Sequence, residues 1–377
     1  MDRAADVLVR GAGAVGLCAA LALSRQGLQV ALLGSLAEPA GDDVRAYALN
    51  PASVQLLATL KVWDAIPPEA RTAVHEMRVH GDAPGAVLEF SAWSQSLPEL
   101  AWIVEAAELE RALRAALRFA PHVTPVAAEV PAALQVLAEG RDSATRERLG
   151  VRLQRQAYGQ TALAATLRSD RPHAGLASQW FRSPDVLALL PLQRPRADDG
   201  RPGQALGLVW SLPDARAQAL LAMSETEFNA ALAEATAGEA GALALAGPRM
   251  LWPLALARAE ATSGPGWVLV GDAAHVVHPL AGQGLNLGLG DVAELAQVLA
   301  WRQAHEPWRA LGDARLLARY ARARRGPVHA MASITDGLLQ LFASPAPVAR
   351  ELRNRGLTLV DRLAPLKRAL TRQALGR

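Results

Sequence analysis

"DVLVRGAGAVGLCAALALSRQGLQVALLG", residues 6–34, decides the fold. Residues 6–9 read as a short apolar strand, the glycines after them as a turn, the stretch to Gln26 as an alanine- and leucine-rich helix, and residues 29–33 as a second strand. That order is a β-α-β unit with parallel strands. Gly11, Gly13 and Gly16 form GxGxxG at the strand-to-helix junction. The first permits a tight turn, the second lets a pyrophosphate approach the backbone, and the third lets helix and strand pack closely. The helix N-terminus adds free N–H groups and a partial positive charge of about half a unit. A dinucleotide-binding α/β domain is expected, against the plainer reading of a structural glycine turn.

The rest of the chain bounds what such a domain can belong to. With 377 residues, 51% of them hydrophobic, it can bury a large core in two or more domains. No apolar run approaches the roughly 18 residues that span a bilayer, and the N-terminus has no signal-peptide pattern, so a cytoplasmic location is expected. Cys18 is the only cysteine, which excludes an internal disulfide and a cysteine-based metal site; helix packing is its expected role. A net charge of +3 does not announce nucleic acid, and none is expected as a partner. The charge is uneven, with residues 351–377 carrying +5 and the remainder −2. Leu363, Leu366, Leu370 and Ala374 fall on one helical face there, with Lys367, Arg368 and Arg372 elsewhere. This basic helix is either a solvated element docked on the body or a surface touching anionic lipid or a partner protein.

A second informative stretch is "VLVGDAAHVVHPLAGQGLNLGLGDV", residues 268–292. An apolar strand ends at Asp272, read here as a buried acid, and strand ends of this kind bind ligands in open α/β sheets. Pro279 bends the chain, and Gly282 and Gly284 release it into a long helix carrying Leu285, Leu287, Leu289, Val292, Leu295 and Leu299. The helix N-terminus aims donors and a positive dipole beyond the strand. A flavin gives these features a purpose: an acid for its ribityl hydroxyls and a helix N-terminus for negative charge on the reduced ring.

Together the two stretches resemble the flavin-dependent aromatic hydroxylases of the para-hydroxybenzoate hydroxylase type, and most of all the ubiquinone-biosynthesis hydroxylases. "DVRAYALNPASVQLLATLKVWDAI" at 43–66 and segments at 102–117, 157–167, 172–192 and 206–232 follow that subgroup in order. The resemblance implies a Rossmann-like FAD-binding domain with an inserted, mainly antiparallel β-sheet substrate domain and C-terminal helices. Mapped onto this chain, residues 1–72, 100–172 and 262–335 form the FAD domain, 73–99 and 173–261 the substrate sheet, and 336–377 a helical region. It implies FAD held by Gly11, Gly13, Gly16, Arg45, Asp272, Pro279, Gly282, Gly284, Leu285 and Asn286, with NAD(P)H or a reductase as electron donor. The implied chemistry is hydroxylation of a prenylated phenol of ubiquinone biosynthesis, dioxygen and reduced FAD forming the C4a-hydroperoxide that delivers the oxygen. A hydrophobic aromatic substrate and dioxygen are the expected small partners. Contact with a membrane periphery or a quinone-biosynthesis complex would run through the basic C-terminus.

The chain departs from the family pattern at identifiable points. Gly34 stands where an acid usually ends the second strand, with Glu38 as a stand-in from the next loop. Glu139-Gly140 replaces the family's Asp-Gly, which meets FAD and the nicotinamide donor; Asp142, Ser143 and Arg146 follow in the expected order. Arg10 replaces a small or apolar residue at the end of the first strand, and the segment before Glu139 is too short for the usual strand meander. No phenol-activating base is assigned: His275 and His278 read first as structural hydrogen-bonding residues and second as proton carriers, and Tyr47 and Tyr158 are no stronger candidates. Trp180, Phe181, Leu189, Leu190 and Trp210 either line an apolar pocket or fill the sheet's own core. Three classes of function fit: an FAD monooxygenase, a same-fold epoxidase or prenyl reductase, and a non-catalytic prenyl-lipid-binding or scaffold subunit. No metal site is expected.

Overall fold

The computed structural model describes residues 5–37, 43–81, 86–193, 203–277 and 283–343. The β-α-β unit is strand Ala5–Arg10, helix Ala14–Ser24 and strand Val30–Leu33, with Val7 beside Val30 in parallel register. Strand Ala132–Leu137 lies on the other flank of the first strand, again parallel, and Trp267–Leu269 runs parallel beyond it. Val123–Val126 closes one edge and Ser263–Gly264 the other, giving six strands. Strands covered on both faces have no polar side to show, hence the unbroken runs Val7-Leu8-Val9 and Val268-Leu269-Val270, all fully buried. Helices Ala14–Ser24, Gln283–His305 and Ala314–Ala343 pack into this core, Tyr320 on the last donating its hydroxyl to the Leu269 carbonyl at 2.8 Å.

The short segment before Glu139 has a simple outcome. Between helix Ala106–Leu117 and strand Ala132–Leu137 the chain forms the one edge strand Val123–Val126 and turns straight back into the sheet.

A large, mostly antiparallel sheet forms the second layer. Its central strands are Met250–Ala259, Leu153–Ser169, Ala205–Pro213, Asp185–Leu192 and Leu176–Arg182, neighbours in that order. Glu76–His80 adds to Leu176–Arg182 in parallel, and His275–Val276, just past Asp272, adds to Met250–Ala259. The 17-residue strand Leu153–Ser169 falls inside the 100–172 segment assigned on sequence to the FAD domain. It nonetheless pairs along its length with Ala205–Pro213 and Met250–Ala259, so its hydrogen bonds belong to the second layer. A three-stranded antiparallel sheet, Ala46–Leu49, Ala101–Glu105 and Arg71–Val74, bridges the two layers.

Alternation along the large sheet sorts its side chains. Leu163, Trp180, Leu187, Leu189, Trp210 and Leu212 pack against helices Asp214–Ala222 and Glu225–Ala235 through Leu220, Phe228 and Leu232. Ala162, Ala164, Ala188, Leu190, Gly207 and Val209 point the opposite way, toward the FAD-type layer. Of the five residues weighed as pocket or core, only Leu190 lines the cavity; Phe181 shares that side of the sheet by alternation but does not line it. Trp180, Leu189 and Trp210 fill the core behind the sheet, and Phe181 packs with Val186. The reason is the two-residue period of a strand, which sends neighbours to opposite faces.

Candidate functional site

Between the layers lies a cavity of about 440 Å³. Gly13, Ala14, Val15, Ala138 and Gly140 form one wall and Val44 to Tyr47 a second. Asp272, Val276, Val277, Gly284 and Leu285 form a third, with the small-residue face of the large sheet as the floor. It lies beyond the C-terminal ends of the parallel strands, where open α/β sheets bind their ligands.

The three motif glycines have separate physical reasons. Gly11 sits at φ +104°, and a Cβ there would stand 2.3 Å from the Ala138 carbonyl oxygen. A Cβ on Gly16 would stand 1.9 Å from the Gly11 carbonyl oxygen. Both positions are closed by backbone. At Gly13 a Cβ would meet nothing within 4 Å, and the same holds at Gly284. Two backbone surfaces are thus left bare toward one cavity, each at a helix N-terminus, which fits an extended phosphate-bearing cofactor.

Asp272 projects from the turn after Trp267–Leu269 and is exposed, not buried as its sequence context suggested. Its carboxyl opens onto the cavity with protein around its other sides; this desolvation raises its pKa, partly offset by His275 and Arg141. Arg45 lines the cavity beside Glu110 and is steered by Asp43, which accepts from its Nε at 2.9 Å and from a terminal nitrogen at 2.7 Å. Tyr47 stands next to it, and burial pushes its phenol up to about 12, so it is a proton holder and not a base at neutral pH.

The turn bearing Asp272 is anchored from behind by a residue the sequence reading did not single out. Asp291, on helix Gln283–His305, is 1% exposed and accepts from the Gly271 N–H at 2.9 Å, from His275 Nε2 at 2.7 Å and from Arg324 Nε at 2.6 Å. Burial alone would raise its pKa, but His275 and Arg324 outweigh that and hold it below the usual carboxylate range. With Asp291 ionised, His275 donates through Nε2; its ring is buried on a structural partner and lines a second cavity with Tyr320 and Arg324, away from the first. The signal that could have found Asp291 was an acid closing a run of eight uncharged residues, 283–290, at the start of the apolar helix pattern.

Asn286 plays a comparable part. Its Oδ1 accepts from the Asn50 N–H at 3.0 Å and from Ser53 Oγ at 2.7 Å, while Nδ2 donates to the Ala48 carbonyl at 2.7 Å. Its side chain ties the long helix to segment 48–53 and does not line the main cavity. Pro279, Gly282, His278 and Glu38 lie outside the described residues, as do the side chain of Tyr158 and the basic segment 351–377.

Each departure from the family pattern has a local cause. Arg10 is 5% exposed, bonds Gln135 Oε1 at 3.2 Å, pairs with Glu129 and comes within 3.7 Å of Glu139. The Glu139 carboxylate accepts from Ser143 Oγ at 2.5 Å and from Thr145 Oγ1 at 2.8 Å, fastening the start of helix Ala144–Arg148. Gly34 abuts the glycine turn: a Cβ there would lie 2.8 Å from the Ala12 amide nitrogen. The missing acid is therefore also a packing requirement. Cys18 is fully buried, and desolvation raises its thiol pKa well out of the reactive range.

A glycine-turn domain, a strand-end acid and a helix N-terminus facing an apolar sheet across one cavity define an FAD-dependent monooxygenase. The chain belongs to the FAD binding domain family, which it matches over residues 4–130 and 121–335. It is 34% identical over its whole length to ubiquinone hydroxylase UbiL of Rhodospirillum rubrum, covering 90% of that protein. To the 3-demethoxyubiquinol 3-hydroxylase of Escherichia coli it is 31% identical, with 98% of each chain covered. In fold it is similar to PqsL of Pseudomonas aeruginosa, a probable FAD-dependent monooxygenase, with TM-score 0.76, 21% identity and 94% and 100% of the two chains covered. Among the described residues no helix is long and apolar enough to cross a membrane, and no cluster could hold a metal ion.

Proposed function

We propose that the protein hydroxylates the aromatic ring of a prenylated phenol in ubiquinone biosynthesis. The observation that carries this reading is the cavity itself: a floor of Ala162, Ala164, Ala188, Leu190, Gly207 and Val209 opposite the cofactor-type wall, apolar and shaped for a ring with a hydrocarbon tail. The full-length likeness to ubiquinone hydroxylases supports the same substrate class. Bound FAD supplies the redox chemistry with dioxygen.

The chain's own groups have definite tasks in this reading. Gly13 leaves the backbone bare for the pyrophosphate, with the first N–H groups of helix Ala14–Ser24 toward it. Asp272 takes ribityl hydroxyls, and Arg45, held by Asp43, offers its remaining donors to the cofactor. Gly284 and Leu285, at the start of helix Gln283–His305, place a positive dipole end against charge on the ring system. The sheet floor excludes water from the reacting atoms. Electrons come from NAD(P)H or a reductase protein; a Glu139 carboxylate held by Ser143 and Thr145 instead of facing the cavity favours the reductase.

The FAD-loaded protein, supplied in turn with NADH, NADPH and a reductase, is expected to turn over prenylated phenols with kcat/KM at least about tenfold above small aromatic acids, the scale of one or two buried methylenes. A preference for the acids would overturn the substrate class. Ready turnover with free nicotinamide would overturn the reductase preference alone.

A further inference from the structure

Most side chains of the sheet floor neither donate nor accept hydrogen bonds; Trp252, opposite Ala162, brings an indole N–H that only donates, and Gln179 alone among the large sheet's residues lining the cavity brings both donors and an acceptor. Gln179, on strand Leu176–Arg182, lies opposite Ala188; Ala188 lies opposite Val209, and Val209 opposite Ala164. With neighbouring strands about 4.8 Å apart, Gln179 stands roughly 14 Å along this row from Ala164, at the end of the apolar floor. It is 8% exposed and lines the cavity. Its side-chain amide has no hydrogen-bond partner among the described residues, whereas Ser53, Asn286 and Asp291 nearby in the same molecule are all bonded within the chain.

A primary amide brings two donors and an acceptor, and here they open onto the cavity, where a ligand can meet them, whereas a position facing the core behind the sheet would hold leucine or methionine. The period-2 pattern makes the placement specific: Trp180 next to it turns to the core behind the sheet, while Gln179 turns to the cavity. An amide left unbonded at the end of the apolar row Ala188, Val209 and Ala164 is suited to a ligand whose polar end reaches it while its hydrocarbon part covers that row. An aromatic ring carrying a hydroxyl is such a ligand: the O–H donates to Oε1, or the ring oxygen accepts from Nε2.

We propose that Gln179 is the substrate-positioning residue, hydrogen-bonding an oxygen substituent of the aromatic ring and setting the preference for oxygenated rings over hydrocarbons. The inference rests on the reading of the substrate as a prenylated phenol. Gln179 does not touch FAD and takes no proton; it fixes which part of the ring is presented.

The test uses the FAD-loaded protein and follows the perturbation of flavin absorbance by two probes, 2-geranylphenol and geranylbenzene, which differ only in the ring oxygen. In the parent protein the phenol binds more tightly. Gln179→Met, close in shape but without the amide, is expected to weaken phenol binding about tenfold, to leave geranylbenzene within about twofold, and to retain FAD. Its melting temperature stays within about 1 °C of the parent, because the amide bonds nothing else among the described residues, an outcome that a structural role for the amide does not produce. Gln179→Leu gives the same pattern and serves if the methionine variant folds poorly. Equal phenol affinity in parent and variant overturns the role of Gln179 alone, as would a parent that binds both probes equally. A parent that retains FAD yet binds neither probe overturns the prenylated-phenol reading and this inference with it.

Discussion

Replacing Asp291 with alanine is the most informative single change behind the cofactor wall. The carboxylate is buried and accepts three hydrogen bonds, from Gly271, His275 and Arg324. Deleting it strands the Arg324 guanidinium, 12% exposed at its side chain, beside two unmatched donors. Breaking a buried pair by removing one partner costs about 3–5 kcal/mol. For a chain of this size that lowers the melting temperature by roughly 4–10 °C. The same change frees the Gly271 N–H and so loosens the turn that carries Asp272; FAD affinity is expected to fall on the order of 10- to 100-fold. The sign of the pH dependence follows from the depressed pKa. Asp291 titrates below 3.8 when folded, so its contribution is fully present above the ordinary carboxylate range and is lost as pH falls through the folded value. The gap between parent and variant is therefore constant from about pH 5 to 8 and closes under stronger acid. Thermal melts across pH, with FAD titrations at pH 7, measure both effects. A variant that melts within about 1 °C of the parent and binds FAD equally would refute the anchoring argument.

Other substitutions separate packing from binding. Gly13→Val should leave the apo fold's melting temperature nearly unchanged while abolishing FAD retention, because its side chain enters the open cavity; Gly16→Ala should lower stability by several kcal/mol through its contact with the Gly11 carbonyl. Gly34→Asp restores the acid usual in this fold but must displace the Ala12 backbone, so lower stability with no gain in FAD affinity is expected in calorimetry and titration. Trp210→Ala should cost about 3–5 kcal/mol in denaturant melts with little change in substrate affinity, whereas Ala188→Phe should block the substrate and spare FAD.

The β-α-β unit and the long helix after residue 283 were legible because glycine spacing and apolar runs are local signals. Each motif glycine occupies a position that its spacing implies: Gly11 and Gly16 against backbone, Gly13 against open space. The strands of the second layer were legible too, but the face each residue takes was not. Alternation tells which residues share a face without telling which face meets the cavity, and so Trp180 and Trp210 looked as eligible as Leu190. The anchoring roles of Asp291 and Asn286 were hidden for a further reason: their partners, Gly271, Arg324, Asn50 and Ser53, lie on other elements, and only the fold brings them within 3 Å. Arg10 and Glu139 are read from sequence as two separate departures, yet they sit 3.7 Å apart at adjacent strand ends. Gly34 looked like a lost carboxylate, and its tight fit against the glycine turn appears only in three dimensions.

The central claim is that this chain uses FAD to place an atom of dioxygen on an aromatic ring. The most direct measurement loads the purified protein with FAD, removes the excess by gel filtration, and follows turnover of 2-geranylphenol under ¹⁸O₂ with NADH, NADPH or a reductase. A retained flavin spectrum and a hydroxylated product carrying a single ¹⁸O atom are the predicted result. A protein that holds no flavin, or that holds it and yields no labelled product with any donor, would contradict the account.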